Sequence, residues 1–357
     1  MIGDNMSQNP AGLINIDHLE FAVGSMESTT IKLFSTLGFI KTAENEDSRL
    51  YSQGQVRFLV KASNDTNNLT HKYFKNHGEG VSKISFLVKK VEEALDVTLK
   101  NGAKLIHDLK IEDTPEGKIK TASIQGFGDV VNEFVERPQK IFRPGFNVIE
   151  NDISGRPLAT RVSRIDHLTN NVPKGQMDHW VEFYKRTYGF IETRYFDIKG
   201  TKTGLNSKVV QLPDNSIIIP INEPEKEGGK SQIQEFLDVH KGPGVQHIAL
   251  MTPDIISTVR ELRERDIRFL NVPSTYYEAI PSRPFKVTED LKVLEKLNLL
   301  VDGDEEGYLL QIFSDTYIGP LFFEYIQRKN HWGFGNGNFQ ALFDAIERDQ
   351  IKRGYIK

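Results

Sequence analysis

Three polar residues of types that bind metals lie in apolar stretches of this sequence. His247 lies in the run 244–252, which follows a turn containing Gly and Pro and is predicted to be a buried strand. An unpaired buried imidazole costs about 1–3 kcal/mol, so His247 alone is most simply a hydrogen-bonded core histidine. His167 lies in a second predicted strand, and Glu324 lies in a third, where an isolated carboxylate would be costly to bury. Together, two histidines and one carboxylate are the ligand set of a facial iron(II) site with open positions.

The strands that carry these residues belong to a unit that occurs twice. Four pairs of segments correspond in sequence: 16–19 with 165–168, 37–40 with 188–191, 80–84 with 244–248, and 132–137 with 323–328. Each unit has the predicted order β-α-β-β-β, so the chain is predicted to be a tandem duplication. We therefore expect an α+β fold with an N-terminal domain at 11–137, a linker at 138–157 and a C-terminal, catalytic domain at 158–357.

The duplication presents the three candidate ligand positions twice. In the first half these positions hold His18, Lys83 and Glu133. A protonated amine cannot bind a metal and adds positive charge beside it, so the first half is predicted to be metal-free. His18 and Glu133 are then expected to be structural polar groups, and one metal site is expected, in the second half.

The end of the chain is predicted to form a helix. Asn338 is a plausible N-cap, and the glycines before it are expected to act as hinges. The residues that follow at the spacing of one apolar helix face are Phe339, Leu342, Phe343 and Ile346. We expect this helix to close over the metal cavity as a lid, and the alternative is a helix that merely packs on the core.

Composition excludes several classes of function. The chain has no cysteine, which removes disulfides, zinc-thiolate sites, iron–sulfur clusters and thiol nucleophiles, so any metal must be held by His, Asp or Glu. The formal charge is −4 and no dense block of Lys and Arg occurs, so we expect no nucleic-acid partner. No secretory signal and no apolar run of about 18 residues occurs, so we expect no membrane partner and a cytoplasmic location.

Two further polar features are predicted to lie at the surface. The segment 62–79 is rich in Asn and is predicted to be a loop. The histidines outside the repeat positions are expected in polar loops or on exposed helix faces: His71, His77, His107, His179, His240 and His331.

Six segments of the chain, in order, match a known family: 165–168, 220–224, 230–234, 244–250, 309–313 and 333–339. On these segments the sequence resembles the 4-hydroxyphenylpyruvate dioxygenase family of the vicinal-oxygen-chelate superfamily, over nearly its whole length. The resemblance implies two open-barrel domains of the glyoxalase and extradiol dioxygenase type. It also implies Fe(II) held by His167, His247 and Glu324, the positions that the residue types had already indicated.

The resemblance implies an iron(II)-dependent oxidoreductase of tyrosine and phenylalanine catabolism. Its substrates would be 4-hydroxyphenylpyruvate and O2, and its products homogentisate and CO2. The substrate is itself a 2-oxo acid that can chelate iron(II), so no separate 2-oxoglutarate is needed. Because the oxidising species formed there would attack its surroundings, the site is expected to be dry and lined with aromatic side chains.

The resemblance further assigns side chains around the substrate. Catalytic roles are implied for Gln232, Gln246, Gln311 and Phe339. Substrate contacts are implied for Ser207, Asn222, Gln232, Gln311, Phe313, Phe334 and Phe339, with the substrate ring between Phe313 and Phe339. Without the family, Ser207 and Asn222 would be ordinary turn residues, and Gln232 a surface residue at a helix N-terminus. Gln246 is adjacent to His247 in a strand, so we expect it to point to the opposite face.

Other functions with the same ligands stay open at this point. A 4-hydroxymandelate synthase would share ligands and substrate but oxidise the benzylic carbon. An extradiol dioxygenase would need a further acid–base histidine, and a glyoxalase-type lyase a fourth protein ligand. A non-catalytic binding module of the superfamily is the alternative from another class, although the intact triad argues against it. We expect a homo-oligomer, and no residue pattern distinguishes a dimer from a tetramer.

Overall fold

The computed structural model describes residues 9–149, 160–225, 230–333 and 335–356. Its strands fall into an N-terminal and a C-terminal set. The first set is β1 (Leu13–Ala22), β2 (Ile40–Glu44), β3 (Ser48–Gln53), β4 (Val56–Lys61), β5 (Gly80–Val88), β6 (Leu105–Thr114), β7 (Gly117–Gln125), β8 (Val131–Glu136) and β9 (Asn147–Val148). The second set is β10 (Arg164–Asn171), β11 (Ile191–Lys199), β12 (Gly204–Gln211), β13 (Ile218–Pro224), β14 (Gly244–Met251), β15 (Leu300–Gly303), β16 (Tyr308–Ile318) and β17 (Leu321–Lys329).

Helices connect the strands within each half. They are α1 (Thr29–Thr36), α2 (Leu69–His77), α3 (Val91–Lys100), α4 (Met177–Tyr188), α5 (Gln232–His240), α6 (Ile255–Glu264), α7 (Ser274–Glu278), α8 (Leu291–Leu297) and α9 (Asn336–Lys352), with a 3-10 turn at Ile280–Ser282. Among the described residues, no helix combines the length and apolar character needed to cross a membrane.

The two halves have the same sheet topology. The first sheet has the order β6-β7-β8-β5-β1-β4-β3-β2-β9, and the second, written in the matching direction, has the order β15-β16-β17-β14-β10-β13-β12-β11. Apart from the short β9, each strand of one sheet has a counterpart in the other. In both sheets the first strand pairs in parallel with the fourth and antiparallel with the fifth. The predicted tandem duplication and mixed α+β fold are confirmed.

The pairing register of the two halves also agrees. Leu19 pairs with Ile84 in the first half, and Leu168 pairs with Ile248 in the second. The neighbouring pairs are Glu20 with Lys83 and Thr169 with His247. The predicted correspondence of Lys83 with His247 is therefore confirmed at the level of backbone pairing.

The prediction of a loop across 62–79 is wrong, because this segment contains α2. The Asn68 side chain caps the helix by accepting a hydrogen bond from the Thr70 backbone N–H at 2.8 Å. Thr70 Oγ1 donates to the buried Glu20 carboxylate at 2.8 Å, and Tyr73 is 2% exposed. The sequence did not indicate this helix, because the side chains that it buries make hydrogen bonds and do not form an apolar face.

A shared core joins the two halves. The rings of Phe58 and Phe323 lie 6.3 Å apart, and Asn132 of β8 donates to the Tyr188 hydroxyl of α4 at 2.8 Å. Between α2 and α5, the Tyr73 hydroxyl donates to His240 Nε2 at 2.9 Å. His240 is 3% exposed, so the prediction of a surface position is wrong for this histidine. The burial of His240 could not be predicted, because a contact between the two halves leaves no local pattern in the sequence.

Candidate metal centre

The three predicted ligands converge from three adjacent strands at the middle of the second sheet. His167 of β10 and Glu324 of β17 both pair with Ala249 of β14, one from each side. His247 lies two residues before Ala249 and therefore on the same face of β14. The Nε2 atoms of His167 and His247 lie 3.3 Å and 3.5 Å from Glu324 Oε2. The donor atoms all lie within 4.8 Å of one another and could hold one metal ion.

Electrostatics in this cluster favours a bound cation. Burial alone would lower the pKa of His167, but the Glu324 and Asp166 carboxylates raise it to about 9. Burial would raise the pKa of Glu324, but the two histidines lower it to about 2. Burial lowers the pKa of His247, which keeps this imidazole neutral. An anionic carboxylate thus lies between two imidazoles in a buried site, where a divalent cation would replace the positive charge of His167.

Each histidine is oriented by a neighbouring side chain. His167 Nδ1 donates to Asp166 Oδ1 at 2.8 Å, and Asp166 also accepts two hydrogen bonds from Arg328 at 2.7 and 2.8 Å. His247 Nδ1 donates to Gln246 Oε1 at 3.0 Å. Both contacts leave Nε2 directed towards Glu324. Partners of this kind fix the tautomer and ring orientation that a metal site requires.

The expectation that Gln246 points away from the site is wrong. The register between β10 and β14 shifts between Thr169, which pairs with His247, and Asn170, which pairs with Val245. Gln246 is therefore the extra residue of a β-bulge, and a bulge changes the direction of a side chain relative to regular alternation. Its amide oxygen reaches the imidazole of His247 as a result, although Gln246 does not line the cavity.

A chain of amides links the carboxylate ligand to the C-terminal helix. Gln311 Nε2 donates to Glu324 Oε1 at 2.8 Å, and Asn338 Nδ2 donates to Gln311 Oε1 at 2.8 Å. The Tyr276 hydroxyl donates to Asn338 Oδ1 at 2.6 Å. Asn338 therefore lies in the first turn of α9 and holds Gln311. The prediction that it caps the helix is wrong, because α9 begins at Asn336, with Gly335 at the N-cap in a left-handed conformation.

A cavity lies in front of the three ligands. Five of the predicted substrate-site residues line it: Ser207, Asn222, Gln311, Phe313 and Phe339. The buried Ser207 hydroxyl and the Asn222 amide oxygen have no hydrogen-bond partner among the described residues. Unsatisfied buried polar atoms are costly, and here they fit a site that a polar ligand completes. Most of the remaining surface is apolar, in agreement with a site that excludes water.

The structure does not bring every predicted residue to this cavity. Gln232 is the first residue of α5 and is 7% exposed, but it is not among the lining residues. Its amide oxygen has no partner in the part of the chain that the structure describes. Its burial shows that it is not the surface residue that its position alone suggested. Phe334 lies outside the described residues.

Three residues near the ligands were missed from the sequence. Thr169 lines the cavity, and its hydroxyl lies 2.9 Å from His247 Nε2. The ring of Phe322 stacks on His247 with centroids 4.8 Å apart, and Phe196 packs edge-on against Phe339. Thr169 and Phe322 lie two residues from a ligand in the same strand, so strand alternation could have identified them. Phe196 carries no such signal, because it lies on β11, away from the motifs.

The corresponding positions of the first half form a cluster of ion pairs. Lys83 Nζ lies 3.3 Å from both Glu20 and Glu133, and Arg143 also contacts Glu133. Burial would raise the pKa of Glu133, but Arg143 and Lys83 hold it well below its usual range. His18 Nδ1 donates to Asp17 at 2.8 Å, as His167 does to Asp166. The first half thus keeps the same strand positions but places side-chain cations beside its carboxylate.

The donor set of the second half fits a first-row transition metal. Imidazole nitrogen and carboxylate oxygen suit iron, manganese, cobalt or zinc, and two histidines with one carboxylate are typical of non-haem iron(II) oxygenases. Among the described residues, no fourth His, Cys, Asp or Glu joins this group. Three protein ligands leave coordination positions for other molecules.

Comparison with known proteins gives the family. Residues 7–143 match the model for "Hydroxyphenylpyruvate dioxygenase, HPPD, N-terminal", and residues 164–279 match the "Glyoxalase/Bleomycin resistance protein/Dioxygenase superfamily". The chain is 40% identical over 356 residues to 4-hydroxyphenylpyruvate dioxygenase of Pseudomonas aeruginosa, with 98% of this chain and 97% of the relative covered. It is 39% identical over 356 residues to Protein MelA of Shewanella colwelliana, with 98% and 99% covered.

A solved structure agrees with these relatives. A triple mutant of 4-hydroxymandelate synthase from Streptomyces coelicolor superposes with a TM-score of 0.84 at 26% identity, and the match covers 95% of this chain and 99% of that one. The match extends over both halves, as the sequence relatives do. The chain therefore belongs to the 4-hydroxyphenylpyruvate dioxygenase family.

Proposed function

We propose that this protein is an iron(II)-dependent 4-hydroxyphenylpyruvate dioxygenase that converts 4-hydroxyphenylpyruvate and O2 to homogentisate and CO2 in the breakdown of tyrosine and phenylalanine. The observation that carries the proposal is the convergence of His167, His247 and Glu324 on one side of an apolar, aromatic-lined cavity. Relatives named 4-hydroxyphenylpyruvate dioxygenase cover nearly the whole chain.

The chain's own residues account for the requirements of this reaction. His167, His247 and Glu324 would hold iron(II), which when bound supplies the activation of O2 and the oxidative decarboxylation of the 2-oxo acid. Phe313 of β16 and Phe339 of α9 both line the cavity, and we propose that they hold the phenol ring between them. Their bulk, with the apolar lining, excludes water from the reacting groups.

Neutral polar groups would orient the substrate's polar ends. The hydroxyl of Ser207 and the amide of Asn222 have buried oxygen atoms that lack partners within the described segments. Neutral hydrogen-bonding groups can position a phenol without ionising it. Gln311 lies between Glu324 and Asn338, so it both orients the carboxylate ligand and presents an amide to the cavity. We propose that Gln232 and Phe334 complete the substrate site, as the family resemblance implies.

The C-terminal helix is proposed to act as the lid of this site. Leu342 of α9 packs with Phe313 and Phe322, whereas Phe343 packs with β11, β12, β13 and α5. The helix thus spans the open side of the curled sheet and contributes Phe339 and Leu342 to the cavity wall. Entry of a ring-sized substrate then requires movement of α9.

The second candidate product is 4-hydroxymandelate. The structural similarity to 4-hydroxymandelate synthase over nearly the whole chain favours keeping this alternative. Both reactions would use the same ligands and the same 2-oxo acid, and they differ in which carbon the oxidant reaches. The curated relatives favour homogentisate.

Product identification separates these functions. Purified protein is loaded with iron(II) in the presence of ascorbate and supplied with 4-hydroxyphenylpyruvate, while O2 uptake is followed and the product is identified by chromatography. Homogentisate is expected, with zinc-loaded protein as an inactive control. Hydroxymandelate would reassign the reaction, and iron-loaded protein without O2 uptake would favour a binding function.

We also propose an N-terminal scaffold domain at 11–137, a catalytic domain at 158–357, a cytoplasmic location and a homo-oligomeric state. Each sheet belongs to one half of the chain, which supports the division. Exposed Leu105 and Ile111 on the edge strand β6 support subunit pairing through the first half. Sedimentation of the purified protein measures the oligomeric state.

A further inference from the structure

Arg328 contacts both the metal-ligand system and the chain segment that leads into α9. Its Nε and Nη2 atoms donate to the two oxygens of Asp166 at 2.8 and 2.7 Å. Its Nη1 atom donates to the carbonyl oxygens of His331 and Gly333 at 3.1 and 2.7 Å. The indole ring of Trp332 lies over the guanidinium, 5.6 Å from it. One buried side chain therefore holds the carboxylate behind His167 and the chain just before the lid helix.

The contact between Asp166 and His167 depends on a β-bulge. The register of β10 against β14 shifts between Ile165 and His167, so Asp166 is the extra residue and its carboxylate reaches Nδ1 of the adjacent imidazole. The side chains of Asp166 and Arg328 are 1% and 5% exposed. A buried carboxylate needs a paired cation, and a planar guanidinium can bridge both of its oxygens. Lysine, with a single nitrogen, cannot reproduce these contacts.

We infer that Arg328 is a positioning residue that couples metal binding at His167 to the docking of α9. This inference rests on the proposed metal site. When Arg328 holds Asp166, the His167 ring is fixed with Nε2 towards Glu324. The same guanidinium fixes the carbonyls of His331 and Gly333, and hence the start of the helix that carries Asn338 and Phe339. Coupling between two sites is reciprocal. A metal ion that fixes His167 therefore also stabilises the docked position of α9, through Asp166 and Arg328.

The first half contains a similar arrangement without the metal ligand set, although there the arginine donates to a single carboxylate oxygen. Arg137 donates to Asp17 at 2.7 and 3.0 Å, Asp17 accepts from His18, and Arg137 Nη1 donates to the Pro138 and Ile141 carbonyls. A purely structural role would make Arg137 and Arg328 equivalent. A positioning role predicts that only Arg328 affects metal binding. The duplication thus provides a matched control within one chain.

The test measures metal affinity and helix order without requiring turnover. Cobalt(II) is titrated into metal-free protein and followed by its d–d absorption, and hydrogen exchange of the α9 amides is measured with and without cobalt(II). In Arg328→Gln we expect cobalt(II) to bind about 10–100-fold more weakly. The slowing of α9 exchange by cobalt(II), expected in the parent, should disappear. In Arg137→Gln both properties should stay within twofold of the parent.

Two conservative variants keep the test decisive if Arg328→Gln does not fold. Arg328→Lys keeps the positive charge but not the four hydrogen bonds of the guanidinium. It should weaken cobalt(II) binding and reduce the effect of cobalt(II) on α9 exchange, both to a smaller extent than Arg328→Gln. Asp166→Asn keeps the shape of the linkage and should weaken cobalt(II) binding while Arg328 still holds the His331 and Gly333 carbonyls.

Two results would overturn the inference. One is that folded Arg328 variants bind cobalt(II) as tightly as the parent. The other is that Arg137→Gln loses as much cobalt(II) affinity as Arg328→Gln. A parent that binds no cobalt(II) would overturn the metal site together with this role. A parent that binds cobalt(II) but makes no homogentisate with iron(II) would overturn the proposed reaction alone.

Discussion

At the scale of single residues, the two copies of the repeat show how neighbours decide what a buried carboxylate does. Glu133 and Glu324 occupy the same position on the same strand of their sheets. Beside Glu133 lie the ammonium of Lys83 and the guanidinium of Arg143, so its charge is already compensated. Beside Glu324 lie two imidazoles, whose nitrogens can bind a metal. The carboxylate position is the same in both halves, and the cations or imidazoles beside it separate an ion-pair cluster from a candidate metal site.

This difference leads to a paired prediction. Glu324→Gln replaces an anionic ligand by a neutral amide of nearly the same shape, so we expect metal affinity to fall by at least 100-fold, on the order of 3 kcal/mol or more, with the fold retained. Titration of metal-free protein with iron(II) or cobalt(II) measures the change. Glu133→Gln, the control, should leave the affinity and a stoichiometry of one metal per chain unchanged. Tight metal binding by Glu324→Gln would remove Glu324 from the ligand set.

At the scale of elements, β-bulges set the surroundings of the ligands. Asp166 and Gln246 are both extra residues in the pairing of β10 with β14, and each contacts the histidine that follows it. Regular alternation would place them on the opposite face. The strands and the triad were predictable, because apolar runs and repeated motifs are local signals. The bulges were not, because they depend on pairing register, which no single segment specifies.

The C-terminal helix shows the same division between local and non-local information. Its apolar face was predictable from spacing. The role of Asn338 was not, because its partners Gln311 and Tyr276 lie on other elements. The contact by which Glu347 holds α9 against the segment after β11 was equally unpredictable. Its carboxylate accepts hydrogen bonds from the backbone N–H groups of Thr201, Lys202 and Thr203, at 2.7 to 3.1 Å.

Removing this carboxylate should loosen the helix without touching the metal ligands. Glu347→Ala removes the acceptor of all three N–H groups and leaves the buried Thr203 N–H without this partner, at a cost of about 1–3 kcal/mol. We expect hydrogen exchange of the α9 amides to rise at least tenfold and kcat/KM to fall several-fold. Metal affinity should stay within twofold, because α9 remains docked in most molecules and the contacts of Arg328 are unchanged. Asp344→Asn, on the same helix, is the control and should change none of these. Unchanged exchange in Glu347→Ala would show that α9 is held by its apolar face alone.

At the scale of the whole molecule, the two halves are joined by buried polar contacts as well as apolar ones. His240 at the end of α5 accepts a hydrogen bond from Tyr73 of α2, and its Nδ1 atom donates to the Gly242 carbonyl at 3.0 Å. The ring of His77 stacks on His240 at 4.5 Å, and His77 itself contacts Asp129 and the His240 carbonyl. In the neutral imidazole, Nδ1–H donates to the Gly242 carbonyl and Nε2 accepts from the Tyr73 hydroxyl, so both ring nitrogens are satisfied without a second proton.

This contact should make the joined structure sensitive to acid. Burial lowers the pKa of His240 from 6.5 to about 4, with His77 adding to the shift and the Gly242 carbonyl and Asp129 opposing it. Between these two values the unfolded chain binds a proton that the folded chain does not, so the free energy of unfolding falls as the pH decreases from 6.5 towards 4. At about 1.4 kcal/mol per pKa unit, His240 should account for a loss of roughly 2 kcal/mol between pH 7 and pH 5.

The variant His240→Gln isolates this contribution, because its amide oxygen can still accept from Tyr73 but does not titrate. Denaturant unfolding at pH 7 and pH 5 should show a loss about 2 kcal/mol smaller in the variant than in the parent. The carboxylates that also titrate over this range are common to both proteins, so their effect cancels in the difference. His179→Gln, on the exposed face of α4, should lose as much stability as the parent. Equal losses in His240→Gln and the parent would mean that the contact between the halves opens and lets His240 take up its proton before the protein unfolds.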